Sequence, residues 1–495
     1  MIAMIIPITT TVTIAICSQI QVEGIVATPY CVPMALIRER EPDESAPSAG
    51  IVPTMHRRPH KLIAAVGPAV CGMALLLFAG NVAAKPKHPR PAAPLGGVNI
   101  DGLIYGARLS SADQDIAVAK RLHARVVRTE VFWSILEPRA AGQIDPHALA
   151  FVDRLVADAA AAHIKVIATV RGTPCWDSSA PAALTGSCSP TDLSGANAWP
   201  PRDPAEYARI VSFIVRRYGT RLAAIEIWNE PDQSNEKYFA GPDKAARYAA
   251  LLRAAYPAIK QANPRVAVLA GSLVGSNGVF LRALYAAGIK GYYDGLAIHY
   301  YTLTLASLRS IREVQLANGD SKPLWLDEFG WPSCWPHERI QEEQACVTPR
   351  AQATNIGSIF RALANTPWVA ADVIFELRDY RHVDFGVVTH PGAQKPAFKE
   401  LSSVLASPYN ARVSPVTLRL SRHGPRIVAA GSGPVGDFMG LEVFSAGALR
   451  YRAVFTLDRF NHYSIALPRV LGTRGLRVRV FQYWSGVAHA AQKRI

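Results

Sequence analysis

The stretch IEIWNEPD, residues 225–232, decides how the rest of the chain is interpreted. It opens with apolar β-branched residues, carries an amide and a carboxylate at Asn229 and Glu230, and is stopped by Pro231. Apolar residues followed at once by polar side chains and a proline are typical of a buried strand that ends at the rim of a sheet. If this strand delivers one carboxylate to a cleft, a second strand should deliver another.

Further candidate strands lie on both sides of this one, separated by Ala-rich stretches with apolar residues at helical spacing. The strands are almost continuously apolar, which indicates burial on both faces in a parallel sheet. Eight strand–helix units within about 300 residues predict a closed (β/α)8 barrel, a TIM barrel, over residues 102–407. An open doubly wound sheet is the alternative, but no Gly-rich phosphate loop follows the first candidate strand. The candidate strands are 102–109, 126–133, 165–170, 225–230, 266–273, 294–301, 324–329 and 373–380.

The first 101 residues have the composition of export and linker segments. Residues 55–61 read MHRRPHK, and residues 62–84 form an uncharged apolar run that ends in Val-Ala-Ala. A basic start, an apolar segment and a small-residue exit predict a signal peptide cleaved near Ala84, with an uncleaved membrane anchor as the competing interpretation. Residues 1–54 are then an unstructured or non-native extension. Residues 85–101, which open with KPKHPRPAAP, are predicted to be a Pro-rich basic linker.

Cysteine usage agrees with export. Three of the seven cysteines lie in or before the predicted signal, and four remain in two close pairs, Cys175 with Cys188 and Cys334 with Cys346. Four cysteines allow three connectivities, and the short intervening loops favour the two local pairs. Four free thiols or a metal site are the alternatives, but the absence of CxxC spacing disfavours a metal. In an oxidising compartment we expect disulfides.

The net charge of +15 is concentrated near the C-terminus. Residues 411–495 hold 13 Lys and Arg against three acidic residues, a balance of +10. The sequence pattern also changes over residues 408–495, where short stretches of alternating apolar and polar residues are separated by Gly, Pro and Asn. This pattern predicts a small antiparallel β-sandwich-like domain. In ALRYRAVFTL, Arg450 and Arg452 fall on one face while Tyr451, Ala453 and Phe455 fall on the other, so one face is expected to be buried and the other basic.

A second carboxylate does occur at the end of another predicted strand. The stretch LWLDEFGW, residues 324–331, places Asp327 and Glu328 at the end of the seventh candidate strand. Barrel enzymes build their sites at the C-terminal ends of the strands, so Glu230 and Glu328 should face each other across the barrel mouth. Glycosidic cleavage needs such a pair, because one carboxyl group protonates the leaving oxygen while the other attacks or stabilises the cation-like sugar carbon.

Four motifs at the ends of predicted strands resemble those of a known family of enzymes. WNEP at 228–231 and DEFGW at 327–331, with VRTEVFWSILEP at 127–138 and HYY at 299–301, resemble the clan A retaining glycoside hydrolases, the "4/7" barrels. Families 39 and 5, which include bacterial enzymes that cut exopolysaccharides, look most similar. The resemblance covers residues 102–401 and implies a TIM barrel that hydrolyses glycosides.

The resemblance also implies roles at matching positions. Glu230 is the expected general acid/base and Glu328 the expected nucleophile. Asn229 is expected to bind the sugar hydroxyl next to the reacting carbon, and Arg128 to keep Glu328 ionised, since a fixed cation lowers a carboxyl pKa. Taken singly, Glu230 could be an acid at a helix N-terminus, Glu328 a surface residue and Arg128 a solvated charge at the rim.

Other residues are expected around this pair. His299 and Tyr301 should lie near Glu328, and Trp133 near the sugar rings, although a core histidine and a packing tryptophan are the alternatives. Strand eight of the clan often ends in Trp, whereas this chain has Glu376 and Arg378 there, which could contact a charged sugar.

Two loops are expected to wall the cleft. The connection at 171–203 is long, and loops of that length are usually functional or disordered. It carries Trp176 and Trp199, and Trp331 follows the seventh strand. Aromatic faces suit the apolar faces of sugar rings, so these three are candidate platforms, with simple cover of the barrel top as the alternative.

Together these observations predict a secreted or envelope-associated retaining glycoside hydrolase that is a monomer and needs no metal or cofactor. Its expected partners are a polysaccharide or oligosaccharide and, through the basic domain, an anionic cell-envelope polymer. A catalytically inactive carbohydrate-binding barrel is the rival, and retention of both glutamates weighs against it. Nucleic acid is not an expected partner, because the basic tail lacks a matching fold signature.

Overall fold

Eight parallel strands close into a barrel in which neighbours pair in chain order and the eighth pairs with the first. The predicted closed (β/α)8 barrel is therefore confirmed. The strands are β1 (Leu95–Asn99), β2 (Val126–Phe132), β3 (Lys165–Arg171), β4 (Leu222–Ile227), β5 (Ala267–Leu273), β6 (Gly295–His299), β7 (Leu324–Glu328) and β8 (Val369–Ile374). The computed structural model describes residues 14–16, 32–34, 93–100, 109–275, 277–301, 305–337, 340–341, 344–364, 366–380, 383–407, 415–433, 439–458, 460–471, 474–482 and 490–495.

A helix follows each strand and covers the outside of the barrel. Two of these helices begin after an aspartate–proline pair: Asp145 accepts hydrogen bonds from the main-chain N–H of His147 and Ala148, and Asp203 from that of Ala205. Proline at the first helical position lacks the N–H that would otherwise need a partner, so both helices start cleanly. The helices are α1 (Leu109–Arg121), α2 (Pro146–Ala161), α3 (Pro204–Tyr218), α4 (Lys244–Ala262), α5 (Val279–Ala286), α6 (Leu305–Ala317), α7 (Pro349–Ala364) and α8 (Pro396–Ala406).

The first strand differs from its prediction. Strand β1 lies at Leu95–Asn99, inside the range expected to be linker, and it pairs with both β2 and β8. The expected strand at 102–109 falls mostly outside the described residues. A Cβ added to Gly97 would lie 1.9 Å from the carbonyl oxygen of Val126, so the tight packing here requires glycine. The Gly-Gly pair in LGGVN interrupts the run of apolar side chains, so the sequence pattern did not predict this strand.

The barrel interior changes character from floor to mouth. Its floor is an apolar layer of inward-facing side chains from six strands: Val126, Ile167, Ala224, Leu269, Ala297 and Val373. Two residues further along β2, β3 and β4, the same inward face presents Arg128, Thr169 and Glu226, which contact one another through hydrogen bonds. Because strand side chains alternate, residues two apart share a face, and a charged layer therefore lies directly above the apolar one.

The C-terminal residues form a second, antiparallel domain, as predicted. Its strands are β9 (Arg419–His423), β10 (Arg426–Ser432), β11 (Met439–Ser445), β12 (Ala448–Phe455), β13 (His462–Ala466), β14 (Leu476–Gln482) and β15 (Ala490–Arg494). One sheet has the order β9-β10-β13 and the other β12-β11-β14-β15.

This sandwich buries one face of each sheet and contacts the barrel at a turn. In β12, Tyr451, Ala453 and Phe455 are buried while Arg450 and Arg452 are exposed, in agreement with the expected alternation. The Asn461 side chain donates a 2.7 Å hydrogen bond to Asn355 Oδ1 of α7. The sandwich therefore contacts the barrel through side-chain groups as well as through the chain connection.

The N-terminal segment is described only in small part. Ile14–Ile16 pairs antiparallel with Val32–Met34, in a unit of the chain separate from the barrel. The predicted signal or anchor at 55–84 lies outside the described residues, so the choice between the two stays a prediction. Among the helices that the structure describes, none has the length and apolarity needed to span a membrane.

Candidate active site

The chain turns sharply where β4 ends, and the turn aims Glu230. Trp228 and Glu230 both have left-handed backbone angles, with φ of 69° and 47°. Non-glycine residues rarely adopt such angles, and they persist where surrounding contacts hold them. The Trp228 indole donates a 2.7 Å hydrogen bond to the Tyr238 carbonyl, and its main-chain N–H lies 3.2 Å from the Tyr207 hydroxyl. These contacts anchor the turn that carries Asn229 and Glu230.

The two glutamates predicted from sequence meet around a histidine. Glu230 Oε1 and Glu328 Oε2 each lie 2.8 Å from Nδ1 of His299, which ends β6. The ligand atoms of these three residues all lie within 4.8 Å of one another. Strands β4, β6 and β7 thus bring together three residues that are far apart in sequence.

Arg128 organises the layer beneath the glutamates. It is 2 % exposed, and its Nη1 lies 3.3 Å from Glu328 Oε1. Its Nη2 donates a 2.7 Å hydrogen bond to Asn229 Oδ1, which turns the amide NH2 of Asn229 away from the guanidinium. Its Nε donates a 2.8 Å hydrogen bond to Glu226 Oε2, and Nη1 a 3.0 Å bond to Asn99 Oδ1. One buried cation on β2 therefore orients groups from β1, β4 and β7.

The charges around Glu328 favour its ionised form. Burial raises the pKa of Glu328, but His299 and Arg128 outweigh burial, and Tyr301 adds a hydrogen bond, so that the pKa falls to about 2. Burial lowers the pKa of His299, whereas Glu328 and Glu230 outweigh burial and raise it well above its usual range, which favours the imidazolium. The stabilisation from ionised Glu328 is present above its unfolded pKa and is lost as pH falls through about 2.

Two buried acids below the mouth were not assigned a role from the sequence. Glu226 and Asp327 are both 0 % exposed, and Arg128 Nε lies 2.8 Å from Glu226 and 3.6 Å from Asp327. Glu226 stands inside the opening stretch IEIWNEPD, two residues after the inward-facing Ala224. A charged residue on the inward face of an apolar strand was the available signal.

A second missed pair lies one layer above Arg128, on β2 and β3. Arg171 donates to both carboxylate oxygens of Glu130, at 2.7 and 3.1 Å. The Arg171 guanidinium lies 4.3 Å from the Phe132 ring centre and 5.3 Å from that of Tyr238. The Glu130 side chain is 20 % exposed, so this ion pair reaches the surface of the barrel mouth.

The tryptophans divide into covered and partly exposed groups. Trp133 is 0 % exposed and donates to Glu137, and Trp331 is 5 % exposed and packs against Phe329. Both placements are those of core residues and do not fit the expected contact with sugar rings. Trp176 and Trp199 stay partly exposed in the 171–203 loop and remain candidate platforms.

The end of β8 also differs from its expectation. Arg378 donates a 2.9 Å hydrogen bond to Asp115 of α1, so its charge already has a partner within the protein. Glu376 is 7 % exposed. The ion pair of Arg378 does not favour its expected contact with a charged sugar, whereas Glu376 is about as buried as Glu230 and its contact stays a prediction.

Both local cysteine pairs are bonded in the structure. Cys175–Cys188 lies within the loop after β3, and Cys334–Cys346 within the loop after β7. The second loop also contains a short ladder between Ile340–Gln341 and Gln344–Ala345. The two disulfides therefore brace the loop that follows β3, the neighbour of the strand that leads to Glu230, and the loop that follows Glu328 itself.

Two groups of residues have the composition of metal sites. Ligand atoms lie within 4.8 Å of one another in Glu226, His299 and Asp327, and likewise in Glu230, His299 and Glu328. In both groups the Arg128 guanidinium already contacts a carboxylate, and a divalent cation would be repelled by this fixed charge. The donor sets therefore fit an ion-pair network better than a metal site, and the absence of a metal cofactor stays a prediction.

No protein-family model matches the chain. A 6-phospho-beta-galactosidase of Lacticaseibacillus casei is 38 % identical over 58 residues, which span 12 % of this chain and 12 % of that relative. Similar solved structures include a family 39 glycoside hydrolase from Bacteroides cellulosilyticus WH2, with 17 % identity, coverage of 76 % of this chain and 81 % of that one, and a TM-score of 0.49. A family 39 β-xylosidase from Caulobacter crescentus has 17 % identity, coverage of 82 % and 98 %, and a TM-score of 0.49.

Proposed function

We propose that this protein is a retaining glycoside hydrolase that acts on a polysaccharide or oligosaccharide. The observation that carries the proposal is the pairing of Glu230 and Glu328, whose carboxylate oxygens approach within 4.8 Å at the ends of β4 and β7. Retaining enzymes hold their carboxyl groups about 5–5.5 Å apart, whereas inverting enzymes leave about 6.5–9.5 Å for a water molecule. A close approach of the two carboxylates supports the retaining alternative.

The reaction proceeds in two displacements. The ionised Glu328 carboxylate attacks the anomeric carbon while the Glu230 carboxyl group gives its proton to the leaving glycosidic oxygen, and a covalent glycosyl-enzyme forms. Glu230 then removes a proton from water, the water oxygen bonds to the anomeric carbon, and Glu328 departs as a carboxylate. The low pKa of Glu328 suits the nucleophile, because the group is ionised throughout the neutral range.

The residues around the pair support these roles. Arg128 and His299 place positive charge against Glu328 and keep it ionised, and Tyr301 hydrogen-bonds it. Arg128 holds the oxygen of Asn229, so the amide NH2 is positioned to donate to the sugar hydroxyl beside the anomeric carbon. Such a contact strengthens in the transition state and so lowers the barrier.

The anomeric configuration of the first product tests the mechanism. Glycans and aryl glycosides are screened for released reducing ends, and the first product from an active substrate is examined by NMR before mutarotation. A retained configuration is expected. An inverted product would contradict the retaining assignment, whereas binding of glycans without any hydrolysis would favour the rival, a carbohydrate-binding barrel.

We also propose that the enzyme works outside the cytoplasm, as a monomer. The two disulfides are compatible with an oxidising compartment, and the predicted signal would direct export. Sequencing the N-terminus of the exported protein tests cleavage near Ala84, and an intact segment 62–84 would instead favour an anchor.

A binding role for the sandwich has a separate basis. The outer face of its four-stranded sheet carries arginines above aromatic rings: Arg477 lies 4.3 Å from the Phe444 ring centre and Arg479 lies 4.7 Å from that of Phe481. Arg450 and Arg452 extend this face along β12. We propose that the face holds the enzyme at an anionic cell-envelope polysaccharide, because planar guanidinium groups bind carboxylate and phosphate oxygens well.

A further inference from the structure

Asp327 and Glu226 form a buried pair of acids with unequal surroundings. Glu226 accepts hydrogen bonds from Arg128 Nε at 2.8 Å, from Arg128 Nη2 at 3.3 Å and from Thr169 Oγ1 at 2.6 Å. Neither carboxyl oxygen of Asp327 accepts a hydrogen bond from the residues that the structure describes. Both side chains are 0 % exposed, so one acid has the donors that an ionised group needs and the other does not.

The groups that face Asp327 come from several strands. Arg128 Nε of β2 lies 3.6 Å from Oδ2, and His299 Nε2 of β6 lies 3.9 Å from Oδ1. Glu226 of β4 and Glu328 of β7 are anionic neighbours, and Asn99 of β1 donates to the main-chain carbonyl of Asp327. Glu230 lies 2.8 Å from His299 and is the protonated acid in the proposed function, so the two cations balance two carboxylates, Glu226 and Glu328. A third ionised carboxylate would be uncompensated in a site without hydrogen-bond donors, which carries a large desolvation cost.

We propose that Asp327 is a neutral carboxylic acid that shares its proton with Glu226 and so acts as a positioning residue for the nucleophile. A protonated acid needs only one acceptor, and the ionised Glu226 lies within 4.8 Å of it. Burial, reinforced by the charge of Glu226, raises the pKa of Asp327 well above its usual range. By remaining neutral, Asp327 leaves the charges of Arg128 and His299 to Glu226 and Glu328. The positioning role of Asp327 rests on the proposed function, whereas its protonation does not.

Infrared spectroscopy of the full chain tests the proton without any assay of activity. Protonated and ionised carboxyl groups absorb at different frequencies, and 13C labelling of aspartate identifies Asp bands. The wild-type minus Asp327→Asn difference spectrum at neutral pH should show one protonated Asp band. Asp320→Asn is the control, because Asp320 accepts from two tyrosines, its pKa is lowered, and its loss should remove only an ionised band. A lost ionised band in Asp327→Asn would overturn the proposal.

A second variant tests whether the charge of Glu226 keeps Asp327 protonated. Glu226→Gln removes the neighbouring negative charge, so Asp327 should ionise in its place beside Arg128, and the protonated Asp band should disappear although Asp327 is still present. Persistence of the band would contradict a proton shared between the two acids. Circular dichroism confirms that each variant is folded.

Kinetics tests the positioning role. Asp327→Ala removes the neutral acid and should lower kcat/KM. Asp327→Asn keeps a neutral hydrogen-bond donor of the same size and should restore most of that loss, with the acidic limb of the pH profile unmoved. A loss of more than about tenfold with the limb moved to higher pH would show that an Asp327 charge was needed. If the protein hydrolyses no glycoside, the infrared result still decides the protonation state.

Discussion

The interiors of the barrel and of the sandwich are both built from strands whose side chains alternate between two faces, but the barrel buries charged side chains and the sandwich core is apolar. The barrel mouth buries Arg128, Glu226, His299 and Asp327 in one contiguous cluster. Among the described residues of the sandwich, the core is apolar, and the buried polar side chains are Glu442 at the outer face and Asn461 at the barrel contact. Its arginines point outward.

This difference indicates where each part of the molecule acts. Burying charged groups destabilises a fold, and an apolar core avoids this cost. A buried charge network of this size is therefore typical of a site where chemistry requires fixed charges away from water. An exposed row of arginines costs little and suits reversible contact with a charged surface. The comparison is sharpened by changing each kind of charge in turn.

The largest effect is expected at Glu328. Glu328→Gln removes the proposed nucleophile and should lower turnover by more than about 10⁴-fold on every substrate, as for other groups that form covalent intermediates. Initial rates are compared with those of Glu313→Gln, an exposed carboxylate on α6 that should behave as wild type. Retention of substantial activity would show that another group attacks the sugar.

Glu230→Gln should have a smaller effect that depends on the substrate. With a poor leaving group, loss of the acid should cost about 10²–10⁴-fold. With a good leaving group, little protonation is needed, so the first step should proceed and the glycosyl-enzyme should accumulate. Intact-protein mass spectrometry detects that adduct. Equal losses on both kinds of substrate would speak against Glu230 as the acid.

Arg128→Met tests the buried network through stability. The change leaves Glu226 and Glu328 without their shared cation, and we expect the free energy of unfolding to fall by about 3–5 kcal/mol. Arg452→Met, at a side chain 46 % exposed that pairs with Glu442, should cost less than about 1 kcal/mol. Urea titrations of both variants make the comparison. Equal costs would remove the distinction between the two interiors.

The disulfides should contribute on a similar or smaller scale. Each closes a loop, with sequence separations of 13 and 12, and removing one by paired Cys→Ser changes should lower stability by about 3 kcal/mol. Peptide mapping without reduction should recover Cys175 linked to Cys188 and Cys334 linked to Cys346. Crossed pairs or four free thiols would contradict this connectivity.

The smallest effect on the fold is expected from the basic face of the sandwich. Neutralising its arginines to Gln should leave hydrolysis of small substrates unchanged but weaken sedimentation with cell envelopes at low salt, and high salt should weaken the wild type likewise. The changed residues are Arg450, Arg452, Arg477 and Arg479, and the matched control changes the exposed barrel arginines Arg139, Arg216, Arg265 and Arg282. Equal sedimentation of the two sets would remove the role proposed for this face, and preferential binding to nucleic acid or to lipid vesicles would reassign it.

The fold was predictable because it depends on local pattern. Apolar strands, helical spacing and polar residues at strand ends are properties of neighbouring residues, and they indicated the barrel, the sandwich and the pair Glu230 and Glu328. The exception was β1, where close packing requires glycines that carry no apolar signal.

The sequence by itself determined the order of strands, the polar ends of β4 and β7, and the short cysteine loops. Only the tertiary structure decided that His299 stands between the two glutamates, that Arg128 has Glu226 and Asp327 beside it, and that Trp133 and Trp331 are covered. The physical reason is that these contacts join residues about 30 to 230 positions apart in the chain, as Arg128 with Asn99 and Asn99 with Asp327 illustrate. Burial and protonation depend on which of those groups meet when the barrel closes, and no local pattern records that.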